Sequence, residues 1–175
     1  LDYVVPTYYV LTTAEASSNL SRYDGIHFGY RSNEASDIPS AYQKSRSEGF
    51  GKEVQRRIML GTFVLSAGYY DAYYTKAQKV RRLLSEKTQS IFDSCDFILS
   101  PTSPNTALKI GQTYDDPTQL YLEDIFTVHA NIVGIPAISL PTGTHSNGMP
   151  FGIQLMAPAF KDAELMAFAN QIMNK

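Results

Sequence analysis

Short apolar runs alternate with longer helical stretches along the chain. Residues 8–13 read YYVLTT, an aromatic and β-branched run that predicts a buried strand, and residues 14–20 have the composition of a following helix. Three further apolar runs predict strands at residues 96–100, 137–140 and 151–156. Because strands that alternate with helices pack in layers, the pattern favours an α/β fold class.

One predicted helix is unusually long, because its pattern continues from residue 52 to residue 94. Its apolar stripe recurs every three or four residues and is predicted to face a core. The stripe consists of Leu65, Tyr69, Tyr73, Ala77, Val80 and Leu84. Shorter helices are predicted at residues 38–50 and 162–173, and another at 116–134, where Asp116 would be the N-cap and Pro117 the first helical residue.

Composition indicates a folded chain of about one domain. Of the 175 residues, 43% are hydrophobic, and 12 Tyr and 9 Phe supply rings for a core. The net charge of −2, without a Lys/Arg run, gives no footprint for direct nucleic-acid binding. No apolar stretch reaches the ~20 residues of a membrane span. We therefore expect a soluble, cytoplasmic protein without a membrane partner; the start at Leu1, without a signal peptide, predicts an excised piece.

General catalytic motifs are missing from the sequence. It contains no Gly-x-Ser-x-Gly, Ser-x-x-Lys, phosphate loop, His-Glu-x-x-His or Cys-x-x-Cys pattern. Cys95 is the single cysteine, and the three histidines are scattered, so neither a disulfide nor a zinc site is predicted. Ser66, His27 and His129 are interpreted as packing or surface residues. We expect no catalytic residue and no metal ligand in this chain.

Six runs, taken together, carry a family resemblance. They are AEASSNLSRYDG at 14–25, SRSEGFGKEVQRRIMLG at 45–61, SAGYYDAYY at 66–74, SPTSP at 100–104, NIVGIPA at 131–137 and GIQL at 152–155. The last three resemble the amidase-signature family in general. The RYDG and FGxEVxRR patterns narrow the resemblance to the A subunits of bacterial aspartyl/glutamyl-tRNA amidotransferases. One departure is Thr142, where many members have cysteine.

The resemblance implies a fold and a place in a longer protein. It implies an α/β fold in which a mixed β-sheet is flanked by helices, with residues 1–175 as the C-terminal part of a single amidase-signature domain. The catalytic lysine and two serines of the family precede this part, so we expect the isolated chain to have no glutaminase activity.

The resemblance also implies substrate-binding residues, which match Tyr8, Arg57 and Asp124. Glutamine is a zwitterion, whose α-carboxylate suits a guanidinium and whose α-ammonium suits a carboxylate. From residue type alone, Arg57 and Asp124 could equally be surface residues or an ion pair, and Tyr8 or its neighbour Tyr9 could be a core ring. Arg56 is interpreted as a helix-surface partner of Glu53, three residues earlier.

Partners follow from the resemblance as well. In the family, subunits B and C complete the complex, ATP and Mg are used by a partner subunit, and aminoacyl-tRNA is reached through the complex; no cofactor is expected in this chain. Two alternatives stay open. The chain could be the matching part of another amide hydrolase, or a non-catalytic docking module that uses exposed apolar surface on the tyrosine cluster, defined as Tyr69, Tyr70, Tyr73 and Tyr74.

Overall fold

The computed structural model describes residues 2–112, 114 and 117–174. It divides into a helical unit, Tyr9–Gln78, and a sheet unit, which combines Leu1–Tyr8 with Lys79–Lys175. In chain order the elements are α1 (Val4–Leu20), α2 (Ile38–Gly49), α3 (Lys52–Val64), a π-helical turn (Asp71–Thr75), α4 (Lys76–Phe92), β1 (Ile98–Pro101), α5 (Pro117–Leu122), α6 (Thr127–Val133), β2 (Ala137–Thr144), β3 (Pro150–Met156) and α7 (Asp162–Met173).

The sheet unit is built on three antiparallel strands in the order β1-β3-β2. Helix α7 packs against β2 and β3, and its apolar face closes the main core. This core consists of Leu140, Leu155, Ala157, Leu165 and Ala169. The predicted α/β fold class is confirmed; a sheet of mixed direction was expected, and both described strand pairs are antiparallel.

The three strands and α7 were all predicted from their apolar runs. Strand β2 continues past the predicted end at Leu140 to Thr144, and it contains a register shift between Pro141 and Gly143. Thr142, the residue that departs from the family pattern, is the extra residue of this bulge. A turn joins β2 to β3, and Gly148 in this turn has a φ of 82°.

The helical unit is held by caps and close backbone approaches. Asp37 caps α2 by accepting a hydrogen bond from the Ser40 backbone N–H at 2.8 Å, and the Ser40 hydroxyl bonds back to the Asp37 backbone. On α3, Gly61 lies against α1, because a Cβ there would overlap the carbonyl oxygen of Thr13 and lie 2.6 Å from Ser17 Cβ. Glycine therefore sets the spacing of these two helices.

The predicted strand at residues 8–13 is wrong, because these residues continue α1. The buried positions Val4, Thr7 and Ala14 follow a helical spacing, and the Thr13 hydroxyl donates to the Tyr9 carbonyl at 2.6 Å. The β-branched and aromatic composition is overridden by helical packing, since β propensity mainly reports fit to a half-buried surface. Pro6 is tolerated because it lies in the first turn.

The single long helix predicted from residue 52 to residue 94 is also wrong. Helix α3 ends at Val64, and Gly68 has φ of 86°, a left-handed conformation that cannot continue an α-helix. The chain resumes in the π-helical turn and α4. On the predicted core stripe Ala77 is buried, whereas Tyr69 and Tyr73 are exposed.

The predicted helix at residues 116–134 is divided into α5 and α6. Between them, the backbone N–H groups of Glu123, Asp124 and Ile125 donate to carbonyls three residues earlier, so the chain forms tight turns. Gly134 ends α6 with φ of 75°, as a C-terminal glycine often does. Pro117 begins α5 as expected, while the predicted cap Asp116 lies outside the described residues.

Candidate functional site

Arg57 lies on α3, and among the described residues Glu53 and Tyr9 orient its guanidinium. Its Nε donates to Glu53 Oε1 at 3.1 Å, one helical turn earlier, and its Cζ lies 5.7 Å from the centre of the Tyr9 ring. The side chain is 39% exposed. A carboxylate at Nε and a ring against the planar group restrict the rotamers of the arginine. The result suits a planar cation that must meet a carboxylate in one orientation.

Glu53 serves two arginines at once. Its Oε2 accepts from Arg56 Nη1 at 2.7 Å, which confirms the predicted Arg56–Glu53 pair, while Oε1 accepts from Arg57. The second contact was missed in the sequence, although the spacing of four residues on a helix could have indicated it.

Asp124 lies in the turn between α5 and α6, with its side chain exposed. Its backbone carbonyl accepts from the Val128 N–H at 3.0 Å and from the Thr127 hydroxyl at 3.2 Å, which connects the turn to the start of α6. The carboxylate is therefore presented by an ordered backbone rather than by a helix face. An exposed carboxylate on such a turn can accept hydrogen bonds from an ammonium group.

The residue before Asp124 anchors the turn to an earlier loop. Glu123 Oε1 accepts from Tyr114 OH at 2.5 Å and from Asn105 Nδ2 at 2.8 Å, and Oε2 accepts from Ser103 Oγ at 3.0 Å. These hydrogen bonds, of which the one from Tyr114 has the largest effect, hold the pKa of Glu123 below its usual value. The hydrogen bond between Tyr114 and Glu123 also raises the pKa of Tyr114. Nothing in the sequence pattern indicated this network.

A buried amide holds the other end of the turn. Gln154 on β3 is 4% exposed, and its Nε2 donates to the Phe126 carbonyl at 3.1 Å and to Ser100 Oγ at 3.4 Å. A buried amide is costly unless it is hydrogen-bonded, so these contacts fix the turn relative to the sheet.

A pocket of about 670 Å³ lies beside the Glu123 network. Its walls come from the loop after β1, from β2, from the start of β3 and from Leu120 and Glu123. The hydroxyls of Thr102 and Ser139 lie 2.8 Å apart on this wall, and the Thr102 N–H donates to the Gly152 carbonyl at 3.2 Å. These hydrogen bonds hold the start of the loop that follows β1.

Tyr8, the third predicted substrate residue, is half-buried on α1. Arg57 belongs to the helical unit, whereas Tyr8 and Asp124 belong to the sheet unit. The roles of Tyr8, Arg57 and Asp124 as substrate ligands, and their convergence on one substrate, stay predictions.

Two histidines have structural partners. Asp24 Oδ2 lies 2.7 Å from His27 Nδ1, and Asp24 Oδ1 accepts from the backbone N–H groups of Ile26 and His27, so the pKa of Asp24 is lowered. His129 Nε2 lies 2.9 Å from Thr88 Oγ1, and burial lowers the pKa of this histidine. Both arrangements organise the local fold.

Within the part of the chain that the structure describes, no group of three or more His, Cys, Asp and Glu side chains is arranged to hold a metal ion. Among those same residues, no helix combines the length and the apolar character needed to cross a membrane.

The fold and the sequence together define the class of protein. The model of the Amidase family matches residues 1–166, and the chain belongs to this family. The structure is also similar to a crystal structure described as an amidase, with a TM-score of 0.71 over 98% of this chain and 35% of that chain. At 20% identity, this second similarity shows the fold alone.

Other relatives are more similar to this chain in sequence than that amidase is, and they share one name within the family. The A subunit of glutamyl-tRNA(Gln) amidotransferase from Thiobacillus denitrificans is 53% identical over 167 residues, which are 95% of this chain and 34% of that protein. The A subunit from Brevibacillus brevis is 52% identical over 97% of this chain and 34% of its own length. The expected resemblance to amidotransferase A subunits is confirmed.

A solved structure carries the same name. The A subunit of glutamyl-tRNA(Gln) amidotransferase from Thermotoga maritima is 44% identical, with a TM-score of 0.67 over 98% of this chain and 32% of that chain. The chain thus spans about a third of the length of the curated relatives that it matches.

Proposed function

We propose that the chain is the C-terminal part of the glutaminase subunit of a tRNA-dependent amidotransferase. The support is its identity of 52–53% to relatives that are named as A subunits of glutamyl-tRNA(Gln) amidotransferase. The complete subunit would hydrolyse glutamine with water to glutamate and ammonia, and the ammonia would amidate Glu-tRNA(Gln) or Asp-tRNA(Asn). Subunits B and C would be its partners, with ATP and Mg used by a partner subunit.

The chain's own part in this reaction is to bind and orient glutamine. Arg57 would hold the α-carboxylate, Asp124 the α-ammonium, and Tyr8 would contact the bound amino acid. The observation that carries this proposal is the oriented guanidinium of Arg57, with Glu53 at its Nε and the Tyr9 ring beside it. Such clamping positions the side-chain amide for attack, and positioning can supply up to ~7 to 11 kcal/mol in ideal cases.

Catalysis itself would belong to the remainder of the subunit. The family resemblance assigns the lysine and the two serines of the catalytic triad to a preceding part. We therefore expect the 175-residue chain by itself to hydrolyse no glutamine, and we expect the complete subunit to do so.

Replacing Arg57 with alanine in the complete complex tests the proposal. We expect kcat/KM for glutamine-dependent amidation to fall, because a charged partner of the substrate is removed. The fall corresponds to a loss of about 2 to 5 kcal/mol of transition-state stabilisation. Amidation with free ammonia bypasses the glutamine site and should keep its rate. Arg56→Ala is the matched control, since Arg56 shares Glu53 without being a proposed substrate ligand. An equal loss with glutamine and with ammonia would contradict the clamp.

A second candidate function, docking of a partner protein, is favoured by the exposed aromatic surface of the helical unit. Tyr69 and Tyr73 are exposed, and both rings pack against Phe63, with ring centres 4.4 and 5.6 Å from it. Exposed aromatic clusters are typical of protein interfaces. We expect the purified chain to co-elute with the C subunit and the Phe63→Ser variant to elute separately. Separate elution of the wild-type chain would contradict the docking function.

A further inference from the structure

Three side chains from one loop converge on the carboxylate of Glu123. Ser103, Asn105 and Tyr114 precede it by 20, 18 and 9 residues, and all three donate hydrogen bonds to it. Both carboxylate oxygens are therefore occupied by donors from the loop. With its pKa held down by these donors, Glu123 is a carboxylate at neutral pH.

This network holds the first residue of a four-residue turn, whereas Gln154 holds the last. Its Nε2 donates to the carbonyl of Phe126 at 3.1 Å. Asp124 lies between these two anchors, directly after Glu123. Since the peptide bond between them is rigid, the position of the Glu123 backbone largely determines where the Asp124 side chain begins.

The network is not part of a packed apolar core. Glu123 is half-buried and lines the pocket of about 670 Å³ together with Ser103, Asn105 and Tyr114. Apolar packing therefore does not fix this side of the turn, where the side-chain hydrogen bonds of Glu123 act together with the backbone hydrogen bonds of the turn. Losing the side-chain hydrogen bonds of Glu123 would loosen the turn without opening a cavity in the core formed by β2, β3 and α7.

We infer that Glu123 is a positioning residue for Asp124: its three hydrogen bonds fasten the turn so that the Asp124 carboxylate is preorganised for the α-ammonium of the substrate. The inference rests on the proposed function of Asp124. A binding carboxylate acts with full effect only when its supporting contacts hold it in the productive geometry, since its ordering then costs nothing on binding.

Glu123→Gln and Tyr114→Phe, each made in the full-length protein within its complex, test the inference. Glu123→Gln keeps the size of the side chain and one acceptor oxygen. It removes the charge and replaces the second oxygen with an NH2 group, which cannot accept. We expect KM for glutamine to rise about 5- to 50-fold with kcat changed less than about twofold, because ground-state binding is weakened. Tyr114→Phe removes one of three donors and should raise KM less.

Two controls separate positioning from a purely structural role. Glu86 is an exposed glutamate of the same unit, and among the bonds described it is paired only with Arg82. Glu86→Gln should therefore leave KM for glutamine unchanged. The melting temperature and the ammonia-dependent rate are measured for every variant, and both should stay at wild-type values. A fall of both activities together with the melting temperature, or an unchanged KM in Glu123→Gln and Tyr114→Phe, overturns the inference.

Asp124→Asn distinguishes failure of this inference from failure of the proposed function. If Asp124→Asn raises KM for glutamine while Glu123→Gln and Tyr114→Phe do not, Glu123 does not position Asp124, and the substrate role of Asp124 stands. If none of the three variants changes KM, both the positioning role and the proposed role of Asp124 are wrong.

Discussion

The helical unit and the sheet unit bury different kinds of side chains. In the described residues of the helical unit, the buried apolar side chains are Ala14, Ala41, Val64 and Ala77, and they are accompanied by buried polar ones, Thr13, Asp24, Ser32 and Ser45. The sheet unit buries larger aliphatic residues, among them Leu140, Leu155, Ile132 and Leu165, together with the polar Thr7, Thr88 and Gln154. One unit is therefore stabilised largely by close approach and hydrogen bonds, and the other by apolar area.

This difference explains why one unit was easier to predict. Strands β1, β2 and β3 and helix α7 follow apolar runs, because burying large side chains on one face leaves a periodic pattern. The helical unit depends on Gly61, on the Asp24 loop and on the cap of α2, which a hydrophobic pattern does not register. Large side chains also remain exposed there, so apolar character misled the core prediction at Tyr69 and Tyr73.

Removing a large side chain from the sheet unit should have the largest effect on stability. Leu155 on β3 is 1% exposed and belongs to the main core. We expect Leu155→Ala to lower the free energy of unfolding by about 2 to 5 kcal/mol, through lost apolar burial and a residual cavity. Urea unfolding of the 175-residue chain measures it.

The control for this prediction is the strand neighbour of Leu155. Leu99 on β1 is paired with Leu155 in the register but is 60% exposed, so Leu99→Ala should cost less than about 1 kcal/mol. Similar losses in the two variants would mean that apolar burial does not dominate the sheet unit.

Adding a methyl group should disturb the helical unit. Gly61→Ala places a Cβ onto the Thr13 carbonyl, and we expect a loss of about 1 to 3 kcal/mol from overpacking between α1 and α3. Urea unfolding followed by helical circular dichroism measures the change. Met59→Ala, on the same helix but 73% exposed, should stay within about 0.5 kcal/mol of wild type.

The sign of the Gly61→Ala effect is decisive. Alanine is the better helix former, by about 0.8 to 1 kcal/mol. If the helices were not in close contact, this preference would stabilise the variant, and a gain of that size would contradict close packing of α1 and α3.

The smallest effect is expected at the ion pair beside Arg57. Glu53→Gln removes the charge that meets Arg57 Nε but leaves Arg57 itself in place. Because exposed ion pairs contribute little, we expect KM for glutamine in the complete enzyme to rise about twofold to fivefold, which is below about 1 kcal/mol. An unchanged KM would mean that Glu53 does not orient Arg57.

The candidate site could be predicted in part. The Glu53–Arg56 pair was indicated by helical spacing and is confirmed. The roles of Arg57 and Asp124 as glutamine ligands come from the family resemblance and from the chemistry of a zwitterion, and they stay predictions. Neither the Tyr9 ring beside Arg57 nor the donors on Glu123 could be inferred, because residues 103, 105 and 114 have no periodic relation to residue 123. Such contacts depend on loop conformation, which follows from tertiary packing.

The central proposal is that Arg57 binds the α-carboxylate of glutamine and that Asp124 binds its α-ammonium. The most direct test compares three amides as substrates of the complete enzyme: glutamine, glutaramate, which lacks the α-ammonium, and 4-aminobutanamide, which lacks the α-carboxylate. The kcat/KM of each amide is measured for wild type, Arg57→Ala and Asp124→Asn.

We predict that Arg57→Ala lowers kcat/KM roughly 30-fold or more, which corresponds to about 2 kcal/mol, for glutamine and glutaramate, the two amides that carry a carboxylate. The kcat/KM for 4-aminobutanamide should be almost unaffected. Asp124→Asn should impair the two amides that carry an ammonium and spare glutaramate. Equal losses for all three amides in either variant would contradict the claim.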